Sequence, residues 1–288
     1  MSLAEQVQQT LSRPATSDDG VSALIDLVDE LCGVYLDETK GYLIESRLAP
    51  IVKRLECRDY AELVQRAKGV AGSDVRSEIV DAITTHETLF FRDESPFNAL
   101  RYKILPDLIE AIESSGRQRR IRIWSAACST GQEVYSIAMV LHEIAQMLPG
   151  WDLQIFGTDV SPASVETARR GWYSNLEVGR GLDDLNKSNY FSHEAAGWQV
   201  SQDLQRLARF DVRNLLQPFP EMNLFDIVFC RNVAIYFKPE QRADMFHRIV
   251  DTMTPGGWLF VGSAERLSDL GAEFTPETHC NCTVYRPK

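Results

Sequence analysis

Glu133 and Asp159 are the residues whose type and placement first suggest chemistry. Glu133 follows a run of small residues (Ser125, Ala126, Ala127, Ser129 and Gly131) and stands where a helix begins. A carboxylate there can accept from an ammonium group through a strong, charge-assisted hydrogen bond. It can equally complement the positive end of the helix. Asp159 closes Gly157-Thr158-Asp159, and an acid at such a strand end commonly accepts from ribose hydroxyls. In Asp159-Val160-Ser161-Pro162 it could instead cap the helix that follows. A phosphate-binding loop needs a lysine after its glycine, and Gly131 is followed by Gln132. A dinucleotide turn needs three spaced glycines, and Gly131 stands alone. The 28 residues from Gly131 to Asp159 also exceed the dinucleotide spacing, which is about 20. A cysteine phosphatase would place an arginine shortly after Cys128, and the residues around Val134 supply none. What remains is a cofactor with no phosphate at this turn and a positively charged amino-acid end.

The elements that must position these acids follow from periodicity. Strand candidates are 121–126 (IRIWSA), 153–158 (LQIFGT), 225–230 (FDIVFC) and 257–262 (GWLFVG), with helices expected over 132–147, 162–170 and 239–253. Short apolar runs alternating with helices indicate a doubly wound α/β domain with a mostly parallel sheet covered on both faces. Ligands bind such sheets at the carboxyl ends of the strands. The first ~90 residues read differently, as amphipathic helices over 21–33, 40–56, 59–68 and 73–85. Pro50 interrupts the second pattern and predicts a kink or a break near Ala49. Residues 173–206 are polar, carry Tyr190, Phe191 and Trp198, and fit an inserted subdomain. The expected division is a helical domain and linker over 1–92 and a second domain over 93–288 that holds the insert. Two acids, a small-residue turn and this sheet together favour a class I S-adenosylmethionine-dependent methyltransferase.

Composition narrows the alternatives. A chain of 288 residues, 44% hydrophobic and 25% charged, can bury one or two cores. Its net charge of −11 disfavours nucleic acid and anionic membranes as general partners. No apolar run reaches the ~20 residues of a membrane span, and MSLAEQVQQT does not resemble a signal peptide, so a cytoplasmic protein without membrane insertion is expected. The six cysteines then read as reduced thiols. Cys280 and Cys282 lie close together after His279, but no second Cys/His pair has ligand spacing, so no metal site is expected. No heptad seam is evident, which favours a monomer.

Five blocks in order carry a resemblance: TTHETLFFRD (84–93), IWSAACSTGQEVYSIAM (123–139), GTDVS (157–161), RNLL (213–216) and FDIVFCRNVAIYF (225–237). Together they resemble the CheR-type chemotaxis receptor methyltransferases, from about residue 20 to the end. The resemblance implies a helical N-terminal domain, a class I methyltransferase domain and a small inserted β-subdomain. It implies that Arg92 holds the methionine carboxylate of S-adenosylmethionine, with Thr88 lining the same pocket. Glu133 would take the amino group and Asp159 the ribose, while Asn214 and Leu215 contact the adenine. Arg231 and Asn232 would close the pocket beside the adenine, and Tyr236 would sit near the transferred methyl. His86 departs from the family, which often has Asn there; it can also donate and accept, so it stays in the site.

The implied reaction is methyl transfer to glutamate side chains on the cytoplasmic helices of chemoreceptors, leaving S-adenosylhomocysteine. Arg92 and Tyr236 would then position the substrate carboxylate. Lys40, Arg47 and Arg54 recur every seven residues, with Lys53 and Arg58 beside them, and such a stripe suits an acidic receptor helix. A solvated helix face is the plainer reading of the same charges. The short SHEAAG turn resembles family members that do not depend on a receptor C-terminal tail peptide. Two rival functions stand beside this one: the same fold methylating another substrate, and a non-catalytic cofactor-binding sensor or scaffold.

Overall fold

The computed structural model describes residues 18–36, 41–219, 224–271 and 273–288. The chain divides into two compact units, one up to Thr85 and one from His86 onward.

The described part of the first unit holds the helices Asp18–Cys32, Gly41–Arg54, Tyr60–Lys68 and Ser73–Ile83. Their apolar positions recur at helical spacing, so one face of each turns inward, led by Leu24, Leu27 and Val28, then Ile44, Leu48, Ile51 and Val52, then Leu63 and Ala67, then Ile79 and Ile83. The predicted break at Ala49 is absent, because one helix runs through Pro50. Ile51 and Val52 lie just beyond the proline and are buried with Ile44 and Leu48. Burying two such side chains is worth about 1.5–3 kcal/mol each, enough to offset the roughly 3 kcal/mol that an interior proline costs.

The second unit is built on a seven-stranded sheet in the order β6-β2-β1-β7-β8-β10-β9. The strands are β1 Arg120–Ala126, β2 Asp152–Asp159, β6 Ala208–Val212, β7 Phe225–Cys230, β8 Met253–Val261, β9 Phe274–His279 and β10 Cys282–Pro287. The first five in that spatial order are parallel, and β10 runs antiparallel to both β8 and β9. Alternate residues feed two cores, as strands covered on both faces require. Ile121, Ile123, Phe229 and Phe260 enter one core with Ile137 and Leu141 of the helix Gln132–Ala145. Trp124, Val228, Leu259 and Val261 enter the other with Met245 and Phe246 of the helix Pro239–Asp251.

Between β2 and β6 the chain forms a separate three-stranded sheet ordered β3-β5-β4. Its strands are β3 Trp172–Ser174, β4 Phe191–Glu194 and β5 Gly197–Val200. Strand β6 was not foreseen from the pattern: it is an edge strand with Arg209 and Asp211 along it, and edge strands lack a continuous apolar run. The Cys280-Asn281 pair is the turn of the β9–β10 hairpin, both residues at positive φ (48° and 61°), as a two-residue turn with that twist demands. Among the described residues no cluster of His, Cys, Asp and Glu is arranged to hold a metal ion, and no helix is long and apolar enough to cross a membrane.

Candidate active site

Strand order brings the candidate residues of the second unit to one edge. Chain direction reverses its spread between β1 and β7, so the loops after β6, β2, β1 and β7 lie side by side at the carboxyl ends of the strands. These loops carry Asn214 and Leu215, Asp159, Ser125 to Glu133, and Arg231 to Tyr236 respectively.

The loop after β1 is shaped by its small residues. Ala127, Ser129 and Gly131 all have positive φ (61°, 50° and 96°). At Gly131 a Cβ would stand 2.8 Å from that of Ala168 and 3.0 Å from the Tyr173 hydroxyl, so glycine is required by both space and conformation. The helix Gln132–Ala145 starts directly after it. Glu133 accepts from the Ser125 hydroxyl at 2.8 Å through Oε1 and from Arg231 Nη1 at 2.9 Å through Oε2.

Arg231 is the buried cation of the site, with a side chain only 2% exposed. Its Nη2 donates to Asp93 Oδ2 at 2.8 Å and to the Arg92 carbonyl at 2.9 Å. Its guanidinium also lies on Glu133, the acid expected at the methionine end. The reason is electrostatic: a guanidinium this buried needs carboxylates around it. The Arg92-Asp93 pair does not close on itself either. Arg92 Nη1 donates to the Glu87 carbonyl at 2.9 Å, while Asp93 turns to Arg231.

The 86–93 segment is pinned from several sides. His86 Nδ1 is 2.8 Å from the Ser164 hydroxyl, and the Ser129 hydroxyl donates to the His86 carbonyl at 3.3 Å. Phe90 is fully buried, edge-on to Tyr173 and Phe191 with centroids at 5.1 and 5.5 Å. The Phe91 amide donates to Ser136 Oγ at 2.9 Å. Phe91 and Asp93 have positive φ (51° and 66°), which places strained backbone on both sides of Arg92. Thr88 is half-buried within this segment.

Asp159 is buried, and its carboxylate joins two loops. Oδ2 accepts from the Ser129 amide at 2.8 Å and Oδ1 from the Ser161 amide at 2.9 Å. It does not cap the next helix; Ser161 does, accepting from the Ser164 amide. Burial pushes the Asp159 carboxyl above its ordinary range, opposed by those two amides and by His86. Asn214 Oδ1 accepts from the Leu216 amide at 2.8 Å, and Leu215 is buried against the second core. Asn232 has a φ of 57°, and Tyr236 ends a short 3-10 turn, half-buried beside the exposed Ile235.

Sequence reasoning missed Ser136 and above all Glu265, and named Ser125 only for its small size. The carboxylate of Glu265 accepts from the backbone amides of Asn232, Val233, Ala234 and Gly262. Nothing in the local sequence marks it, because three of its four partners are in another loop.

The candidate docking residues belong to the helical unit. Lys40 lies outside the described residues. Arg47 is not a solvated member of a stripe: its Nη1 donates to the carbonyls of Ile83 and Thr84 at 2.8 and 3.1 Å, serving the end of the helix Ser73–Ile83. Arg54 pairs with Glu78, and Lys53 is exposed. Arg58 is held by Glu62.

Two family models cover this architecture. The SAM-binding domain of CheR methyltransferase matches residues 86–283, and the all-alpha domain of CheR methyltransferase matches residues 19–84. The chain belongs to the CheR methyltransferase family. It is similar to chemotaxis protein methyltransferase 1 of Pseudomonas aeruginosa, with 39% identity over 91% of this chain and 95% of that one. The chemotaxis protein methyltransferase of Vibrio parahaemolyticus is 38% identical over 86% of this chain and 89% of its own. Chemotaxis protein methyltransferase 1 of Vibrio cholerae is 36% identical over 90% and 93%. This CheR chain is thus an S-adenosylmethionine-dependent methyltransferase.

The chemistry of the donor set fits that cofactor. Glu133 and Asp159 each accept one hydrogen bond per oxygen from the protein, and an ionised carboxylate has about four lone-pair sites, so both retain acceptor capacity for an ammonium and for hydroxyls. Arg231 Nε is buried without a hydrogen-bond partner, which leaves one donor in the guanidinium that pairs with Glu133. Cys128 does not compete as a nucleophile: burial, reinforced by Asp159 and Glu133, pushes its thiol well above the ordinary range.

Proposed function

We propose that this CheR enzyme methylates glutamate side chains on the cytoplasmic helices of methyl-accepting chemoreceptors, giving γ-methyl esters. The observation that carries the reading is the similarity of both units, over most of their length, to chemotaxis protein methyltransferases. The site chemistry supports it. A free glutamate titrates near pH ~4.3, so the attacking group is already an anion at neutral pH and no general base is needed.

S-adenosylmethionine supplies a methyl group on a sulfonium, ready for displacement. The protein's part is to hold and align. Glu133 takes the amino group, Asp159 the ribose, and Asn214 and Leu215 the adenine, with His86, Thr88 and Asn232 completing the pocket. Arg92 and Tyr236 hold the incoming carboxylate in line, Arg92 also serving the methionine carboxylate. Arg231 pairs with the Glu133 carboxylate and ties it to the Arg92 segment. Alignment of this kind can contribute about 7–11 kcal/mol to lowering the barrier. A cation near the substrate carboxylate also keeps it ionised as water is excluded.

Receptor docking on the helical unit falls to Lys53 and Arg54, with Lys40 as a further candidate, while Arg47 supports the fold. The hairpin between β4 and β5 turns through only Ala195 and Ala196, which supports methylation without a receptor tail peptide. A monomeric, cytoplasmic enzyme is part of the same reading.

The test is transfer of radiolabelled methyl from S-adenosylmethionine to chemoreceptor-containing membranes, followed by mild base. Label on the receptor that base releases is expected. Label that resists base, or labelling of no receptor from any matched source, overturns the reading.

A further inference from the structure

The loop after β7 holds Arg231, Asn232 and Tyr236, yet it has little regular structure of its own beyond one short 3-10 turn. What holds it is a side chain from elsewhere. Glu265 is buried, 6% exposed, and its carboxylate receives four backbone amides. Oε2 accepts from Asn232 at 2.8 Å and from Gly262 at 2.7 Å; Oε1 accepts from Val233 at 3.1 Å and Ala234 at 2.9 Å. Three successive amides converge on one anion because Asn232 is left-handed (φ 57°), which makes the loop a backbone nest of the kind that binds anions. Gly262 completes the arrangement, since a Cβ there would stand 2.6 Å from Glu265 Oε2 and 2.9 Å from the Asn232 amide.

We propose that Glu265 is a positioning residue for methyl transfer: its carboxylate holds the 232–234 backbone so that Asn232 faces the cofactor and Tyr236 faces the reacting methyl. This rests on the roles proposed above for Asn232 and Tyr236. Glutamine is nearly isosteric but can present only one acceptor oxygen, so its amide nitrogen would oppose two of the four N–H groups. The loop must then move, and a displacement of about 1 Å in a positioning group can cost roughly 10²-fold in rate.

The experiment compares wild type, Glu265→Gln, Gly262→Ala and Val250→Ala. Val250 is a partly buried core residue on the helix Pro239–Asp251 and serves as a control for lost stability alone. Four quantities are read: amide hydrogen exchange at 232–234, S-adenosylhomocysteine affinity by calorimetry, kcat per binding-competent site, and Tm. The expected result is faster exchange at 232–234 in both loop variants, with affinity about tenfold weaker and kcat about 10²-fold lower, while Val250→Ala lowers Tm alone. Gly262→Ala keeps the carboxylate but pries the contact apart, so it reports even if Glu265→Gln does not fold. If the loop variants exchange faster at unchanged affinity and kcat, Glu265 is a scaffold residue and the proposal falls. The exchange and affinity arms need no methyl acceptor, so they stand apart from any failure of the receptor reading.

Discussion

Arg231 Nη1 lies 2.9 Å from Glu133 Oε2, joining residues 98 apart in the chain at side-chain exposures of 2% and 14%. Through Nη2 the same cation grips Asp93 and the Arg92 carbonyl. One guanidinium therefore links Glu133, the proposed partner of the cofactor's ammonium, to the segment that carries Arg92.

Removing either partner should separate two effects. Glu133→Gln replaces a charged acceptor by a neutral one and should weaken S-adenosylhomocysteine about 10–100-fold, read by calorimetry. Arg231→Ala leaves Glu133 with a partly buried, uncompensated charge and should lower unfolding free energy by about 3 kcal/mol in urea titration. Wild-type stability in Arg231→Ala would contradict the pair's structural role.

Cofactor affinity should depend on Asp159. Burial raises its carboxyl above the ordinary range, and only the ionised form can accept from two hydroxyls while keeping both amides. Affinity should therefore fall as pH is lowered through that raised pKa, beginning above the pH at which an ordinary aspartate titrates, about 3.9. Asp159→Asn should bind more weakly at neutral pH and lose this dependence.

The basic residues of the second helix should divide by role. Arg47→Ala loses two hydrogen bonds to the carbonyls of Ile83 and Thr84 and should destabilise the helical unit by about 1–2 kcal/mol. Reversing Lys53 and Arg54 to Glu should barely move Tm, because an exposed ion pair such as Arg54–Glu78 contributes about 0–1 kcal/mol. The double reversal should instead raise the apparent KM for receptor membranes at unchanged cofactor affinity. An unchanged receptor KM would remove the docking role.

Acid should expose the contribution of Glu62. The Arg58 backbone amide, then the Arg66 and Arg58 side chains, hold its carboxyl down at about 2, against an ordinary 4.5. A folded pKa below the unfolded one stabilises above the unfolded value and is lost as pH falls through the folded value. Glu62→Gln should thus be less stable than wild type above pH 4.5, the gap closing toward pH 2, as followed by circular dichroism. A constant gap across that window would show that packing, not charge, sets the difference.

Several features of the fold were legible because they are local. Phe225–Cys230 reads as a buried strand from six residues alone, and the structure assigns those same bounds. The helix Pro162–Arg170 likewise follows from its proline start and the glycine after it. Strand β6 escaped because an edge strand with Arg209 and Asp211 lacks the apolar run that marks a central one. Of the kink or break expected near Ala49, the break did not form for the opposite reason: buried Ile51 and Val52 outweigh a local propensity.

Sequence alone determined which groups are available to the chemistry: a small-residue turn after a strand, Glu133 at the helix start that follows it, Asp159 at the next strand end, and the blocks that resemble a receptor methyltransferase. Those are statements about residue type and short spacing. Tertiary structure decided what each group touches. Arg231 goes to Glu133 and Asp93, Arg47 caps a helix rather than facing solvent, and Glu265 reaches back 31 to 33 residues to hold the loop after β7. The physical reason is common to all three. A buried charge or amide must find a partner, and which partner lies within reach is set by strand order and helix packing, not by neighbours in the chain.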